Sequence, residues 1–213
     1  MMIYLIRHGE TDWNHQKRRQ GRRDIPLNDE GRAQMRRCAQ ALIGLPVDTM
    51  VTSPLSRAVE SAEIVAECLG FDKEQILRDE GLIERDFGDV DGMTRAELKA
   101  YRARGGNEHQ EPLYRVRERM MRTILTYARR HDKNHLVIVS HSAAIKSVFV
   151  RLCGKPELQR KPTKNAGISI IEYRGGRLHP CALDLDAEEA VRFLKRRKIL
   201  KDEQMPSATK EAF

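Results

Sequence analysis

The chain has 213 residues, 40% of them apolar, which fits one domain with a full hydrophobic core. No apolar run approaches the length that crosses a bilayer, and the short apolar start is followed at once by charges, so we expect no membrane span, no signal peptide and a cytoplasmic location. The formal net charge of +8 suits an anionic partner, either a phosphorylated small molecule or a nucleic acid.

Strand and helix patterns alternate in the first part of the chain. Apolar runs without polar interruption indicate buried strands, and apolar residues at a spacing of three and four indicate helices. In chain order the patterns predict a strand over residues 2–6, a helix capped by Asn28 and ended by Gly44, a strand over 47–52, and a helix from Pro54 to Gly70.

The middle of the chain, residues 72–110, is the least regular part, and we interpret it as a segment that covers a site. It holds a short helix that begins at the capping box of Thr94 and Glu97. The remaining patterns predict a long helix through Leu113 and Tyr127, a buried strand over 136–139, a helix over 142–152, a hairpin over 168–183 and a last helix capped by Asp186.

This alternation predicts an α/β fold, a three-layer sandwich with a mostly parallel central sheet covered by helices on both faces. We expect a catalytic domain over residues 1–185, with a small irregular lid at about 72–112, followed by a C-terminal helix and charged tail over 186–213. Ligands of such sheets bind beyond the carboxyl ends of the strands.

Polar residues follow three of the predicted strands. The first strand leads into Arg7 and His8, the second leads to Arg57 in the first turn of a helix, and the third ends at Ser140 and His141. Two arginines and two histidines at one sheet edge would repel one another without an anion between them, so we expect a phosphate pocket there. A neutral imidazole held through one nitrogen is a competent nucleophile through the other.

Five motifs in order resemble those of the histidine phosphatase superfamily, in its phosphoglycerate mutase-like branch. The resemblance covers roughly residues 2–185. The motifs are RHGETDWN at 7–14, GRRDIPLNDEGRAQ at 21–34, SPLSRAVESA at 53–62, LIERDFGDVDG at 82–92 and VSHSAAIK at 139–146.

The resemblance implies a role for each matching residue. His8 would be the nucleophile that becomes phosphohistidine, and Glu84 would be the proton donor and acceptor. Charge on the phosphoryl oxygens would be stabilised without a metal or another cofactor. Phosphate binding would fall to Arg7, Arg57, His141, Asn14, Ser142, Gln20 and Gly21.

The chain departs from the family pattern in three places. Ser142 stands where a glycine is common, the Gly-x-Trp-x-Gly pattern after the acid becomes GDVDG, and Glu111-Pro112-Leu113 stands near the usual Gly-Glu-Ser. The segment between Gly92 and Leu113 is short, which suggests a reduced lid and a more open pocket. The substrate therefore stays open among several phosphorylated metabolites.

We interpret the chain as a phosphoric monoester hydrolase acting on a small phosphorylated metabolite, and a homo-oligomer is possible. The alternatives are a phosphoglycerate mutase-like phosphotransferase and a non-catalytic phospho-ligand binding or interaction protein on the same scaffold. Nucleic acid is a less favoured partner because the aromatic content of 5% offers little stacking surface. The basic run at 17–23 either is a solvated loop or holds a second anionic group.

Metal binding is not expected. Four cysteines lie far apart without a CxxC pair, which indicates neither a zinc site nor a disulfide framework. His131 and His135 have the spacing of a metal pair, but they flank a polar stretch at a helix end, which favours a solvated loop.

Overall fold

A computed structural model describes residues 1–130, 135–161 and 163–200 of the chain. Six strands form one sheet: β1 Met2–Arg7, β2 Val47–Thr52, β3 Leu77–Arg78, β4 His135–Ser140, β5 Ile168–Arg174 and β6 Arg177–Leu185. The α-helices are α1 Asp12–His15, α2 Asp29–Gln40, α3 Ser56–Leu69, α4 Arg95–Ala103, α5 Leu113–Arg130, α6 Ser142–Cys153 and α7 Ala187–Arg196. Short 3-10 helices span Lys73–Gln75, Glu80–Leu82, Gly88–Val90 and Pro156–Arg160.

The strands lie in the order β3-β2-β4-β1-β5-β6. The first four are parallel, and β5 and β6 form an antiparallel hairpin that pairs with β1. The predicted α/β fold with a mostly parallel sheet is therefore confirmed. The hairpin explains why the sheet is mixed, since the two-residue turn Gly175-Gly176 can only reverse the chain.

Both faces of the sheet are covered. Along β1, Tyr4 and Ile6 pack into a core with α2, α3 and α7, while Ile3 and Leu5 pack into a second core with α5 and α6. This is why β1 is apolar from Met2 to Ile6 without alternating, as expected for a strand between two helical layers.

Several helix starts lie where the sequence predicts them. Asn28 accepts a hydrogen bond from the Gly31 N–H, and the capping boxes of Thr94 and Asp186 are formed. The helix predicted from Pro54 instead begins at Ser56, because Leu55 has extended backbone angles and residues 53–55 carry the chain out of β2.

The irregular middle of the chain contains structure that no periodicity predicted. The two-residue strand β3 extends the sheet beside β2, and three of the 3-10 helices lie here. Elements this short have too few residues to display a period. The lid function assigned to this segment, and the boundary at residue 185, stay predictions.

None of the helices within the described ranges is both long enough and apolar enough to cross a membrane.

Candidate active site

The carboxyl ends of β1, β2 and β4 meet at one edge of the sheet. The register pairs Arg7 of β1 with Ser140 of β4, and Thr52 of β2 with Val139 of β4. The residues that follow the strands therefore lie together, as the sequence predicts. We call Arg7, His8, Arg57 and His141 the strand-end cluster.

His8 is buried and held through one ring nitrogen. Its Nδ1 lies 2.7 Å from the Gly9 carbonyl oxygen, which can only accept, so Nδ1 carries the proton and Nε2 keeps its lone pair. Burial, together with the charges of Arg57 and Arg7, holds the pKa of His8 well below its usual range. The ring is therefore neutral at pH 7, as a nucleophile requires.

The turn after His8 needs a glycine. A Cβ on Gly9 would lie 2.4 Å from the carbonyl oxygen of Gly31 in the first turn of α2, which is far inside van der Waals contact. The Gly9 N–H donates to the Ser61 hydroxyl of α3 at 3.2 Å. The loop that carries His8 is thus fixed between two helices.

His141 is the second histidine of the cluster and the N-cap residue of α6. Its ring centroid lies 5.2 Å from that of His8, and its Nε2 lies 2.8 Å from the Ser53 hydroxyl. Burial and the charge of Arg57 hold its pKa well below the usual range. Its buried Nδ1 has no hydrogen-bond partner in the described part of the chain, so it is available to a bound group.

The two arginines of the cluster are held by main-chain oxygens. Arg57 is fully buried and donates to the carbonyls of Gly21 at 2.7 Å and Arg23 at 2.9 Å, while Arg7 donates to the Thr163 carbonyl at 2.6 Å. Burial lowers the pKa of Arg57 to about 10, which leaves it charged at pH 7. The Nε atoms of both guanidiniums are buried and lack partners among the described residues, which leaves donors for an anion.

Glu84 is buried at the N-terminus of α6. One carboxyl oxygen accepts from the Ala144 N–H at 3.0 Å and the other from the Ala143 N–H at 3.1 Å. The sequence analysis predicts phosphate binding by Ser142, the first residue of this helix. The N–H groups of the next two residues hold the candidate acid beside the strand-end cluster, because a carboxylate satisfies helix-terminal donors as a phosphate does.

Arg119 of α5 anchors the loop that carries Glu84, and sequence reasoning missed it. It donates to the carbonyls of Gly81 and Glu84, each at 3.1 Å, and to that of Ile83. Its remaining donors form a two-bond pair with Glu111, each bond 3.0 Å long. The available signal was an arginine beside the apolar stripe of an amphipathic helix.

The remaining predicted phosphate ligands differ in how many of their polar groups already have partners among the described residues. Asn14 donates to Gln20 Oε1 at 3.1 Å, which leaves the buried Gln20 Nε2 as the donor without a described partner. Gly21 uses its N–H on Asp91 at 2.7 Å and its carbonyl on Arg57, so it positions Arg57. The Ser142 hydroxyl lies 2.6 Å from the Thr163 hydroxyl and so turns toward a neighbouring loop.

A cavity of about 330 Å³ opens above His8 and Glu84. Arg7, Asn14, Gln20 and Ser142 also line it, as do Arg18 and Arg19 of the basic run at 17–23. Four further lining side chains were not assigned by the sequence analysis: Arg85, Phe87, Lys146 and Gln159. Lys146 could have been noticed as a charge among the apolar residues of the first half of α6, whereas Gln159 lies in a short 3-10 helix that shows no periodic pattern. The cavity is large enough for a small phosphorylated metabolite.

No group of three or more histidine, cysteine, aspartate or glutamate side chains with the arrangement of a metal site occurs in the described ranges. His131 lies outside those ranges. His135 accepts the Met2 N–H through Nδ1 at 3.3 Å.

Comparison with known proteins gives a consistent result. The family model of the histidine phosphatase superfamily (branch 1) matches residues 3–183. The uncharacterized phosphatase PhoE of Bacillus subtilis is 36% identical over 172 residues, which are 80% of this chain and 88% of that protein.

The fold of this chain also matches the folds of solved structures. YhfR of Bacillus stearothermophilus has a TM-score of 0.79 at 28% identity and covers 87% of this chain and 98% of its own. Phosphoserine phosphatase of Entamoeba histolytica, solved with 3-phosphoglyceric acid, has a TM-score of 0.75 at 26% identity and covers 89% and 98%. The predictions of an enzyme of the phosphatase class and of its family are confirmed. The chain belongs to the histidine phosphatase superfamily.

Proposed function

We propose that this chain is a metal-independent phosphomonoester hydrolase that acts on a small phosphorylated metabolite through a phosphohistidine intermediate. The observation that carries the proposal is a buried, neutral His8 whose Nδ1 donates to the Gly9 carbonyl, beside the Nε atoms of Arg7 and Arg57, which have no hydrogen-bond partner among the described residues. A nucleophile next to unsatisfied cationic donors suits attack on a phosphoryl group.

In the first half-reaction His8 Nε2 attacks phosphorus and forms the N–P bond. The bond between phosphorus and the ester oxygen breaks, and Glu84 in its acid form gives a proton to the departing alkoxide. When His141 Nε2 accepts from the Ser53 hydroxyl, its Nδ1 carries the ring proton, and this N–H stabilises the charge on the phosphoryl oxygens together with Arg7 and Arg57. Metal ions have this role in other phosphoryl-transfer enzymes.

In the second half-reaction a water attacks the phosphohistidine. The carboxylate of Glu84 takes a proton from that water, the N–P bond breaks, and the electron pair returns to His8 Nε2. Inorganic phosphate leaves, and both residues regain their starting states. Glu84 suits both steps because two N–H groups of α6 hold it beside the cluster.

The test is phosphate release from a panel of phosphomonoesters in the presence of EDTA, with wild type and His8→Ala. We expect wild-type activity to survive EDTA and the variant to lose it. His15→Ala is the matched control, since the His15 side chain is 79% exposed. During turnover, mass spectrometry of wild type should find one phosphoryl group on His8.

Two results would contradict the proposal. Activity that disappears in EDTA and returns with a divalent cation would mean that a metal is required. Phosphorylated His8 with no phosphate release, but with transfer to a second hydroxyl, would favour the phosphotransferase alternative.

A further inference from the structure

The cavity above His8 carries more positive charge than a phosphoryl group neutralises. Its lining includes five cationic side chains, Arg7, Arg18, Arg19, Arg85 and Lys146, and one carboxylate, Glu84. A phosphomonoester brings about two negative charges. Arg18 pairs with Glu97 outside the lining, so about one positive charge is left over, which makes a substrate with a second anionic group the better electrostatic match.

Two of these cations lie against the same aromatic ring. The guanidinium carbon of Arg19 lies 4.9 Å from the centroid of the Phe87 ring, and that of Arg85 lies 5.6 Å from it. Because both guanidiniums lie against one ring, their like charges repel each other, and an anion that contacts both would relieve the repulsion. We call Arg19, Arg85 and Phe87 the arginine pair and its ring.

Only some of the guanidinium N–H groups of Arg19 and Arg85 have partners among the described residues. Arg85 donates through Nε to the Glu111 carbonyl at 2.7 Å. Arg19 has a long ion pair of 3.9 Å with Glu108, and Glu108 also pairs with Arg102. The remaining guanidinium donors of both arginines are therefore available at the cavity wall.

The neighbours of Arg19 in the basic run are committed elsewhere. Arg18 donates to the Gly92 carbonyl at 2.9 Å and pairs with Glu97 at 3.3 Å. Arg22 pairs with Glu111 at 3.3 Å, and Arg23 lies over the Trp13 ring at 5.8 Å. Of these four arginines, Arg19 is the one that both lines the cavity and adjoins Arg85.

We propose that Arg19 and Arg85 form a subsite for a second anionic group of the substrate, a carboxylate or a second phosphate, while the strand-end cluster holds the phosphoryl group that is transferred. The inference rests on the proposed function only for which group is hydrolysed. Arginine suits either anion because its planar fork of donors matches two oxygens of a carboxylate or a phosphate.

The test is calorimetric binding to the full chain carrying His8→Ala, so that ligands are not consumed. Phosphoserine and phosphoethanolamine differ only by the carboxylate, and a sugar bisphosphate paired with its monophosphate tests a second phosphate. We expect the ligand with two anionic groups to bind at least ~10-fold more tightly in one of the pairs. The pair that responds identifies the anion.

Arg19→Gln and Arg85→Gln, each added to that background, should bring the responding ratio close to one by weakening only the ligand with two anionic groups. Arg23→Gln removes the same charge from the same run outside this cavity, and it should keep the ratio. Equal affinities within both pairs, or a ratio that neither substitution changes, would overturn the subsite. Equal loss in Arg23→Gln would assign the effect to net charge and would also overturn it.

Failure of the proposed function gives a different pattern. Wild type that releases no phosphate from any ester but binds these ligands with the expected ratios would contradict hydrolysis and keep the subsite. Wild type that hydrolyses simple esters but shows no preference for a second anion would do the reverse.

Discussion

The two sides of the cavity above His8 are carried by different parts of the fold. The strand-end cluster follows the ends of β1, β2 and β4, and main-chain carbonyls accept hydrogen bonds from Arg7, His8 and Arg57. The opposite side, with Arg85 and Phe87, belongs to an irregular loop that Arg119 of α5 holds through main-chain carbonyls and an ion pair with Glu111. The sheet therefore fixes the candidate nucleophile and its phosphate ligands, whereas the loop carries the candidate acid Glu84 together with Arg85.

The largest loss of activity is expected from Arg57→Lys, which changes the strand-end cluster. Arg57 donates to the carbonyls of Gly21 and Arg23 and still offers Nε to an anion, whereas the single ammonium of a lysine keeps the charge but cannot make all of these contacts. We expect kcat/KM to fall by about 100- to 1,000-fold, the cost of removing one donor to a developing charge. Arg36→Lys on the exposed face of α2 is the control and should leave kcat/KM unchanged. A loss of less than tenfold in Arg57→Lys would contradict the assignment.

The second-largest loss of activity is expected from Arg119→Lys, which tests the loop that carries Glu84 and Arg85. A single ammonium cannot hold three carbonyls and the Glu111 carboxylate together, so the Glu84 loop should lose its position. We expect kcat to fall by roughly 10- to 100-fold with little change in KM, because misplacing a catalytic group slows chemistry more than binding. Arg122→Lys, exposed on the same helix, is the matched control. A change confined to KM would place Arg119 in substrate binding instead.

The third effect concerns the pH dependence of stability. Below about pH 6.5 an unfolded histidine binds a proton, whereas folded His8 and His141 stay neutral because their pKa values are held down. The unfolded chain then binds more protons, so the free energy of unfolding should decrease as the pH falls below about 6.5, by up to about 1.4 kcal/mol per pH unit for each histidine.

Urea denaturation of wild type and His8→Asn at several pH values measures this decrease. The variant should show a shallower decrease, and the difference between the two proteins separates the cluster from His135, whose pKa burial also lowers. Inorganic phosphate should restore stability at low pH in wild type, because an anion offsets the positive charges. Identical slopes in both proteins would mean that His8 is not held neutral.

The smallest effect is expected from Ser142→Gly. The hydroxyl of Ser142 faces Thr163, whose carbonyl still accepts from Arg7 without it. We expect a stability loss of about 1 kcal/mol from the lost hydrogen bond. Thermal unfolding measures that loss, and kcat/KM should stay within about threefold of wild type. A larger gain in activity would mean that this side chain obstructs the phosphoryl group.

The sheet and its edge could be predicted because the same sequence pattern, an apolar run followed by polar residues, recurs along the chain. Uninterrupted apolar runs such as 136–139 indicate buried parallel strands, and parallel strands bring the residues after them to one edge, which places Arg7 beside His141. The order of the motifs then indicates the family.

The support of the site could not be predicted in this way. Three of the supporting contacts are the hydrogen bonds from Arg119 to the Glu84 carbonyl, from the Ala143 N–H to the Glu84 carboxylate and from Arg7 to the Thr163 carbonyl. The residues of each pair are 35 to 156 positions apart in the chain. Contacts at that separation leave no local pattern. The two-residue strand β3 and the short 3-10 helices have too few residues to show a periodic pattern.

The attachment of Arg57 to the carbonyl oxygens of Gly21 and Arg23 has a consequence for protein engineering. Main-chain oxygens are present whatever side chain a position carries, so this loop can carry new side chains without removing an acceptor from Arg57. A library randomised at residue 19 of the loop, whose side chain lines the cavity, would therefore sample new leaving groups while the phosphoryl site stays constant.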